Sequence, residues 1–318
     1  MSYSSYINNK YTKVFAAVLI GLVCIYYVIG SFNWKQIWES LQKANLFYFF
    51  LGAITTQLAF FFFRTLRWQL LLKSENLNVP FIKLYLYNTV SIGISNITPF
   101  QSGEAIKVEL LRKYGGARLT GYTIFLLEKF IDLLIVIFLG IIGVSFGFDF
   151  GIPQFYFYIL AAVFIIGFAA STGALFLLPF ERLNPVRTLL REKWQQKWIM
   201  LSAVFLTVCT WMIAVIGWKI TLASVSIDIN FLQSISLVSL TMLLAIISFV
   251  PGAVGVSEIG IATILTQMGI DLSLAQTGAI ALRAFALILL ALTFLHWIIL
   301  KLLPSKLSAR IVQERALF

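Results

Sequence analysis

The sequence predicts an all-α polytopic membrane protein, and three features of its 318 residues support that prediction. Hydrophobic residues make up 60% of the chain and charged residues only 12%, whereas a soluble domain has roughly 25% charged residues. Apolar runs of about 20 residues, the length of a helix that crosses a bilayer, recur from end to end. Two apolar regions are interrupted by proline and glycine beside a glutamate, which predicts broken helices inside the membrane.

The expected spans follow one another with little chain between them. We expect six to eight spanning helices, with full spans over 14–30, 46–66, 120–148, 155–179, 199–223 and 276–303. Two more apolar regions, 79–113 and 231–269, are broken in the middle. Because the connecting segments are short, we expect one membrane domain over 1–318 and no soluble domain. Its two halves cover about 46–148 and 199–303.

Each broken region contains a helix-breaking motif that ends in a glutamate. The residues are Pro99, Gly103 and Glu104 in the first motif, and Pro251, Gly252, Gly255 and Glu258 in the second. Proline removes a backbone donor and glycine weakens a helix, so each motif should unwind the backbone. Unwound backbone at membrane depth is stable only where it is buried in protein or lines a wet cavity.

The distribution of charge predicts how the broken regions sit in the membrane. The basic segments are 64–83 and 181–197 at +3, 101–118 at +2, and the tail after residue 300 at +3. The segments 149–154, 219–230 and 269–273 carry −1, 0 and −1. The positive-inside rule then places both flanks of the first broken region in the cytoplasm and both flanks of the second outside. Each region would be a re-entrant hairpin, and both termini would be cytoplasmic. The alternative is that each arm is a short full span, giving ten crossings.

A short internal repeat supports the hairpins. From Glu104 and from Glu258, a leucine follows at +7, a glycine at +11 and a cation at +25. The two cations are Lys129 and Arg283. Together with entry from opposite sides, this spacing predicts that the two broken hairpins are related as an inverted repeat, the arrangement that places broken helices around a midplane site in transporters.

Several ionisable residues lie in sequence too apolar to leave them unpaired. Glu258 and Arg283 are about equally far from the turn near 269–273, so we expect them to face each other as an ion pair, functional or purely structural. Glu128 and Asp132 share one helix face, as part of a site or as charges that begin the helix at the interface. Glu104 follows a break, and we expect it to be either a site residue or simply an acidic residue at the N-terminus of a helix.

Arg64 and Arg67 are three residues apart, beside Trp68, where the second span is expected to meet the cytoplasm. Two guanidinium groups on one face suit a lipid phosphate. The alternative is ordinary snorkelling beside an aromatic belt. The net charge of +11 then reports cytoplasmic loops and anionic headgroups, and we expect no nucleic-acid partner.

The sequence contains no motif that predicts an enzyme. We find no phosphate-binding loop, dinucleotide fingerprint, zinc-protease helix or nucleophile elbow. Cys24 and Cys209 are the only cysteines and both lie in apolar runs, so a disulfide or a metal cluster is not expected. We therefore expect no catalytic residue, no cofactor and no metal.

The order of the motifs resembles the transmembrane region of lysylphosphatidylglycerol synthases, which also occurs as stand-alone flippase-like membrane proteins. The resemblance is carried by Arg64, Arg67, Trp68, Asn96, Pro99, Gly103, Glu104, Glu128, Lys129, Asp132, Pro251, Gly252, Gly255, Glu258 and Arg283. It covers nearly the whole chain. Where the family often carries arginine between Pro99 and Gly103, this chain has Gln101.

The resemblance implies lipid handling in a bacterial inner membrane. Its partners would be membrane phospholipids with anionic headgroups, while a homo-oligomer or a partner lipid-modifying enzyme stays open. The residues expected to bind lipid are Arg64, Arg67, Asn96, Gln101, Glu104, Glu128, Asp132, Glu258 and Arg283. One hypothesis is a translocator of phospholipid, such as aminoacylated phosphatidylglycerol, or of another lipid-linked substrate. The other is a membrane-embedded subunit of a lipid-modifying transferase.

Overall fold

The computed structural model describes residues 19–112, 114–147 and 196–302, with a few single positions between 155 and 195. Those three ranges contain ten α-helices, two 3-10 helices and no strand. Four of the helices, α3, α7, α8 and α10 as bounded below, are long and apolar enough to cross a membrane. The predicted span 155–179 and the two chain termini lie outside the described residues.

The helices are numbered in chain order. They are α1 Leu19–Ser31, α2 Trp34–Gln42, α3 Leu46–Lys73, α4 Phe81–Asn96, the 3-10 helix Pro99–Ile106, α5 Lys107–Arg112, α6 Arg118–Gly147, α7 Lys197–Ser224, α8 Phe231–Ser248, the 3-10 helix Pro251–Ala253, α9 Val256–Gln267 and α10 Leu272–Leu302.

Both predicted breaks are confirmed, and they differ in backbone. In the first, Pro99 opens an eight-residue 3-10 helix that leads directly into α5. In the second, four residues have positive φ angles that turn the chain between α8 and α9: Phe249 at 58°, Gly252 at 63°, Ala253 at 48° and Gly255 at 81°. The two glycines adopt such angles at little cost. Gly103 is needed for another reason: a Cβ there would lie 2.6 Å from the backbone of α4.

The two halves of the described chain repeat one order of elements. α3 and α7 both have 28 residues, α4 and α8 have 16 and 18, and α6 and α10 have 30 and 31, with a broken segment before the last helix of each half. The contacts between helices repeat in the same way. α3 packs against α7, while α6 packs against α8 just as α10 packs against α4. Replacing each of these helices by its counterpart in the other half therefore gives the same set of contacts.

The two ends of each broken region lie close together. In the first region, Leu77 before α4 and Leu111 at the end of α5 both lie within 3.2 Å of a Cβ built on Gly116. In the second, Ile227 before α8 and Leu265 near the end of α9 both lie within 2.9 Å of a Cβ built on Gly278. Each region therefore returns to the end of the bundle at which it began.

The helices α3 and α7 run antiparallel, and this fixes which end each broken region uses. The Asn45 amide, at the start of α3, donates to the Ser224 carbonyl at the end of α7 over 2.9 Å. Leu72, near the end of α3, shares a buried cluster with Ala203 near the start of α7 and with Leu111. The clusters around Leu111 and Leu265 are therefore at opposite ends of the α3–α7 pair.

One helix was not predicted from the sequence. α2 begins after Asn33, whose side chain accepts a hydrogen bond from the Gln36 amide. Its apolar residues fall at i, i+3, i+4 and i+7, and of them Ile37 is buried against the core while Trp38 is 64% exposed. This spacing was present in the sequence but is too short to predict a span.

Candidate functional site

Seven ionisable side chains from three segments form one buried network. α3 contributes Arg64 and Arg67, and α6 contributes Glu128, Lys129 and Asp132. The first broken segment contributes Glu104 and Lys107. This network joins all five of the predicted ionisable residues of the first half. It also contains Lys107 and Lys129, which were not among the predicted lipid-binding residues.

Arg67 lies at the centre of the network and is fully buried. Its Nη1 and Nη2 donate to the two oxygens of Asp132 over 2.6 and 3.1 Å, the two-pronged geometry that a planar guanidinium favours. Its Nε donates to Glu128 over 3.3 Å, and Nη1 also donates to the Thr207 hydroxyl over 2.8 Å. These contacts tie α3 to α6 and α7.

Glu104 is held by cations from three elements. Arg64 Nη2 lies 3.0 Å from Glu104 Oε1, Lys129 Nζ lies 2.9 Å from the same oxygen, and Lys107 Nζ lies 3.4 Å from Oε2. Arg64 Nη2 also reaches Asp132 Oδ2 over 3.1 Å. Glu104 is only 1% exposed, so these contacts compensate the loss of water around a carboxylate.

Lys107 closes the network on the side of Trp68. Its ammonium lies 3.4 Å from Glu128 Oε2 and 5.3 Å from the centre of the Trp68 ring. A cation over an indole face is a favourable contact when both are out of water. With four cations and three carboxylates, the network carries a net charge of +1.

The interpretation of Arg64, Arg67 and Trp68 as snorkelling arginines beside an aromatic belt is wrong. All three are buried, at 6%, 0% and 1% exposure, so neither snorkelling nor an aromatic belt describes them. Without the two arginines the net charge of 64–83 falls from +3 to +1. The buried Glu104 and Lys107 cancel, so 101–118 stays at +2.

The predicted pair of Glu258 and Arg283 is confirmed. Arg283 Nε donates to Glu258 Oε1, and Glu258 Oε2 accepts from the Gly255 amide over 2.8 Å and from the Ser257 hydroxyl over 3.0 Å. Arg283 also donates to the Gly252 carbonyl over 3.3 Å. The pair thus fixes the backbone of the second break.

The ion pairs repeat between the two halves at the spacing of the internal repeat. Glu104 pairs with Lys129, and Glu258 pairs with Arg283, each 25 positions further along the chain. Both pairs join the segment after a break to the last helix of its half. The first half adds Arg64, Arg67 and Asp132 to this common pair, and the second half has no ionisable counterpart to them among its described residues.

Two adjoining cavities lie between the breaks. The first, of about 140 Å³, is lined by Arg64, Glu104, Lys129 and Asp132. The second, of about 160 Å³, is lined by Glu258 and Arg283. Ser95, Asn96, Trp218, Met242 and Ile246 line both cavities. The two charged groups therefore face adjoining cavities that share one wall, and most of the lining of both cavities is apolar.

Comparison with known proteins identifies the family. A family model described as the lysylphosphatidylglycerol synthase TM region matches residues 14–293. The chain belongs to this family. The match includes every residue of the network and of the second ion pair. No individual curated protein matches the sequence. The family and the apolar helices together make this a multi-pass membrane protein related to lipid modification.

The remaining predicted site residues lie at the two breaks. Asn96, the last residue of α4, lines both cavities, and its carbonyl lies 3.0 Å from a Cβ built on Gly252. The backbone of Gln101 lies in the first 3-10 helix, and its side chain lies outside the described part. Gln57 and Trp211, which were not predicted, also line the first cavity. Neither carries a charge, so apolar sequence gave no reason to select them.

Proposed function

We propose that this protein translocates phospholipid between the leaflets, with the headgroup passing through the two joined cavities between the breaks. The observation that supports this is the pair of adjoining cavities, each lined by an ion pair, in a family linked to lipid modification. A headgroup cannot cross hydrocarbon without a large desolvation cost. The ion pairs and the polar side chains in the cavity walls lower that cost, while the acyl chains remain in the surrounding lipid.

The arrangement of the halves supports an inverted repeat as the basis of this movement. The packing is unchanged when the halves are exchanged, and the broken regions return to opposite ends of the α3–α7 pair. In transporters with this architecture, rocking of one half against the other opens a fixed site to each side in turn. We propose that the two cavities are that site.

We further propose a bacterial inner membrane, with both termini and the turn before α6 in the cytoplasm. The turn between α9 and α10 would then be external. The only charged residue in the sequence of this turn is Asp271. Two hydrogen bonds from Ser273 lower the pKa of its carboxyl group. With Cys24 and Cys209 replaced by alanine, Asp271→Cys should react with an impermeant maleimide on intact cells and Glu109→Cys should not. The opposite labelling would refute this orientation.

Transport itself can be measured in liposomes that contain fluorescent phospholipid. Dithionite quenches only the outer leaflet of intact vesicles, so a translocator should make the inner leaflet quenchable as well. The double variant Glu258→Gln, Arg283→Gln keeps the second cavity free of an unpaired charge and should slow this exchange. Quenching that never exceeds that of protein-free liposomes would contradict the proposal.

The matched control for this assay is Glu109→Gln, Arg112→Gln. That pair is also joined, over 2.7 Å, but its side chains are 59% and 46% exposed and lie away from both cavities. Its loss should leave the exchange rate unchanged, because exposed ion pairs contribute little.

A second function, as a membrane-embedded subunit of a transferase, is favoured by the description of the family. The three network carboxylates do converge, but each is already held by at least two cations. A general base needs a free carboxylate within reach of the substrate. We therefore propose that the chain supplies no catalytic group. Formation of aminoacylated lipid by the purified chain with aminoacyl-tRNA would contradict this.

A further inference from the structure

The helix α2 has one apolar face, and only part of that face packs against the protein. At roughly 100° per residue, Trp34, Ile37, Trp38 and Leu41 lie within an arc of about 100° on the helix surface. Ile37 belongs to a buried cluster with residues of α9 and α10, and Leu41 packs against that cluster. Trp34 and Trp38 are 44% and 64% exposed. These two side chains form a tryptophan edge that the described chain leaves open.

The opposite face of α2 is polar and exposed. Its residues are Lys35, Gln36, Glu39 and Gln42. A helix with charged residues on one face and tryptophan on the other lies in the plane of a membrane interface, with its apolar face in the lipid. Indole suits this depth, because its ring is apolar while its N–H needs a polar partner. The two faces of α2 therefore indicate lipid beside the tryptophan edge and water on the other side.

The contacts of α2 fix its depth in the membrane. Two residues separate it from α1 and three separate it from α3, which is long and apolar enough to cross the membrane. The Trp34 indole donates to the Ile29 carbonyl of α1 over 2.9 Å. The Asn33 amide donates to the Gln276 side chain of α10, also over 2.9 Å. These bonds hold α2 at the end of the bundle, where the chain passes from α1 to α3.

Exposed aromatic side chains continue from the tryptophan edge onto the helices on either side. Tyr27 near the end of α1 is 57% exposed, and Phe47 at the start of α3 is 76% exposed. Aromatic side chains concentrate where the hydrocarbon of a bilayer meets the headgroups. The surface that covers the tryptophan edge is therefore the one that surrounds α1 and α3, namely lipid.

We propose that α2 is an interfacial helix and that its tryptophan edge inserts into the headgroup region of the leaflet at this end of the bundle. The partner is the lipid surface as a whole, not a single bound headgroup. Lys35 and Glu39 face the water above it. This placement does not depend on what passes through the cavities, so it stands or falls separately from lipid translocation.

Fluorescence quenching in lipid nanodiscs tests the placement, because both faces of a nanodisc are open to solutes. With Cys24 and Cys209 replaced by alanine, Trp38→Cys and Glu39→Cys each carry an environment-sensitive nitrobenzoxadiazole dye. These neighbouring residues lie on different faces of α2, and both are exposed, so both variants should fold. Iodide quenches the dye from water. Lipids with a nitroxide in the headgroup or at the end of an acyl chain quench it from two depths.

We expect iodide to quench the Trp38→Cys dye roughly twofold less, or weaker still, than the Glu39→Cys dye, because an interfacial helix buries its apolar face in lipid. The headgroup nitroxide should quench the Trp38→Cys dye more strongly than the chain-end nitroxide does. Equal iodide quenching of the two dyes would overturn the proposal, because the edge would then face water. A Trp38→Cys dye that neither iodide nor nitroxide lipid quenches would also overturn it, because a second copy of the chain would then cover the edge.

Discussion

Replacing Arg67 by glutamine should be among the most destabilising single changes in this protein. Arg67 is completely buried and makes four polar contacts, three of them to carboxylate oxygens. Removing one partner of a buried ion pair costs about 3–5 kcal/mol, because the remaining charge stays out of water. We expect a loss near 3 kcal/mol, because Glu128 keeps Lys107 and Asp132 keeps Arg64 as partners.

A double-mutant cycle shows whether this loss comes from stranded carboxylates. Arg67→Gln with Asp132→Asn removes one cation and one carboxylate, so the network keeps its net charge of +1. The double variant should therefore be destabilised by less than the sum of the two single variants, with a coupling of roughly 0.5–3 kcal/mol. Unfolding in detergent with increasing sodium dodecyl sulfate measures all four proteins.

The control is Arg112→Gln, which breaks an exposed pair with Glu109. Exposed pairs contribute about 0–1 kcal/mol, so its unfolding transition should barely move. The reasoning would be refuted if Arg67→Gln unfolded at the same detergent ratio as Arg112→Gln. It would also be refuted by strictly additive losses in the cycle.

Two further predictions concern the breaks. Arg283→Gln should lower the free energy of unfolding more than the double change Glu258→Gln, Arg283→Gln, because the single change leaves Glu258 buried without its cation. A double variant that is less stable than the single variant in the same detergent titration would contradict this. Gly103→Ala should cost roughly 1–3 kcal/mol through overpacking, since its methyl group would lie 2.6 Å from the α4 backbone. Gly30→Ala is the control, because a methyl group there meets nothing within 4 Å. Equal melting temperatures of the two variants would contradict the prediction, because α4 would then move aside without cost.

The sequence was most informative where charge interrupts apolar runs. The equal distances of Glu258 and Arg283 from the turn near 269–273 predicted their pair, and the +25 spacing of the internal repeat matches both this pair and Glu104–Lys129. Proline and glycine predicted the positions of both breaks. Such signals are local or repeated within the chain, so they can be found without knowing how the helices pack.

The sequence was least informative about which helix faces meet. Arg64 and Arg67 were placed at the membrane edge, because an arginine near the end of an apolar run usually reaches for headgroups. The structure instead continues α3 to Lys73 and packs it against α6 and α7, which buries both arginines. Lys107 was counted only among the charges of the basic segment 101–118. Its position three residues after Glu104, on the same helical face, was the available signal.

The most direct test of the central claim is to identify which lipid occupies the space between the breaks. A benzophenone side chain in place of Phe60, which lines the first cavity, can be cross-linked by light in membranes of known composition. A second benzophenone in place of Phe205, which is 64% exposed, samples the surrounding bilayer. We predict that mass spectrometry of the Phe60 adduct shows anionic phospholipid enriched over the Phe205 adduct. A Phe60 position that captures no lipid, or captures lipids in the same proportions as Phe205, would contradict the claim.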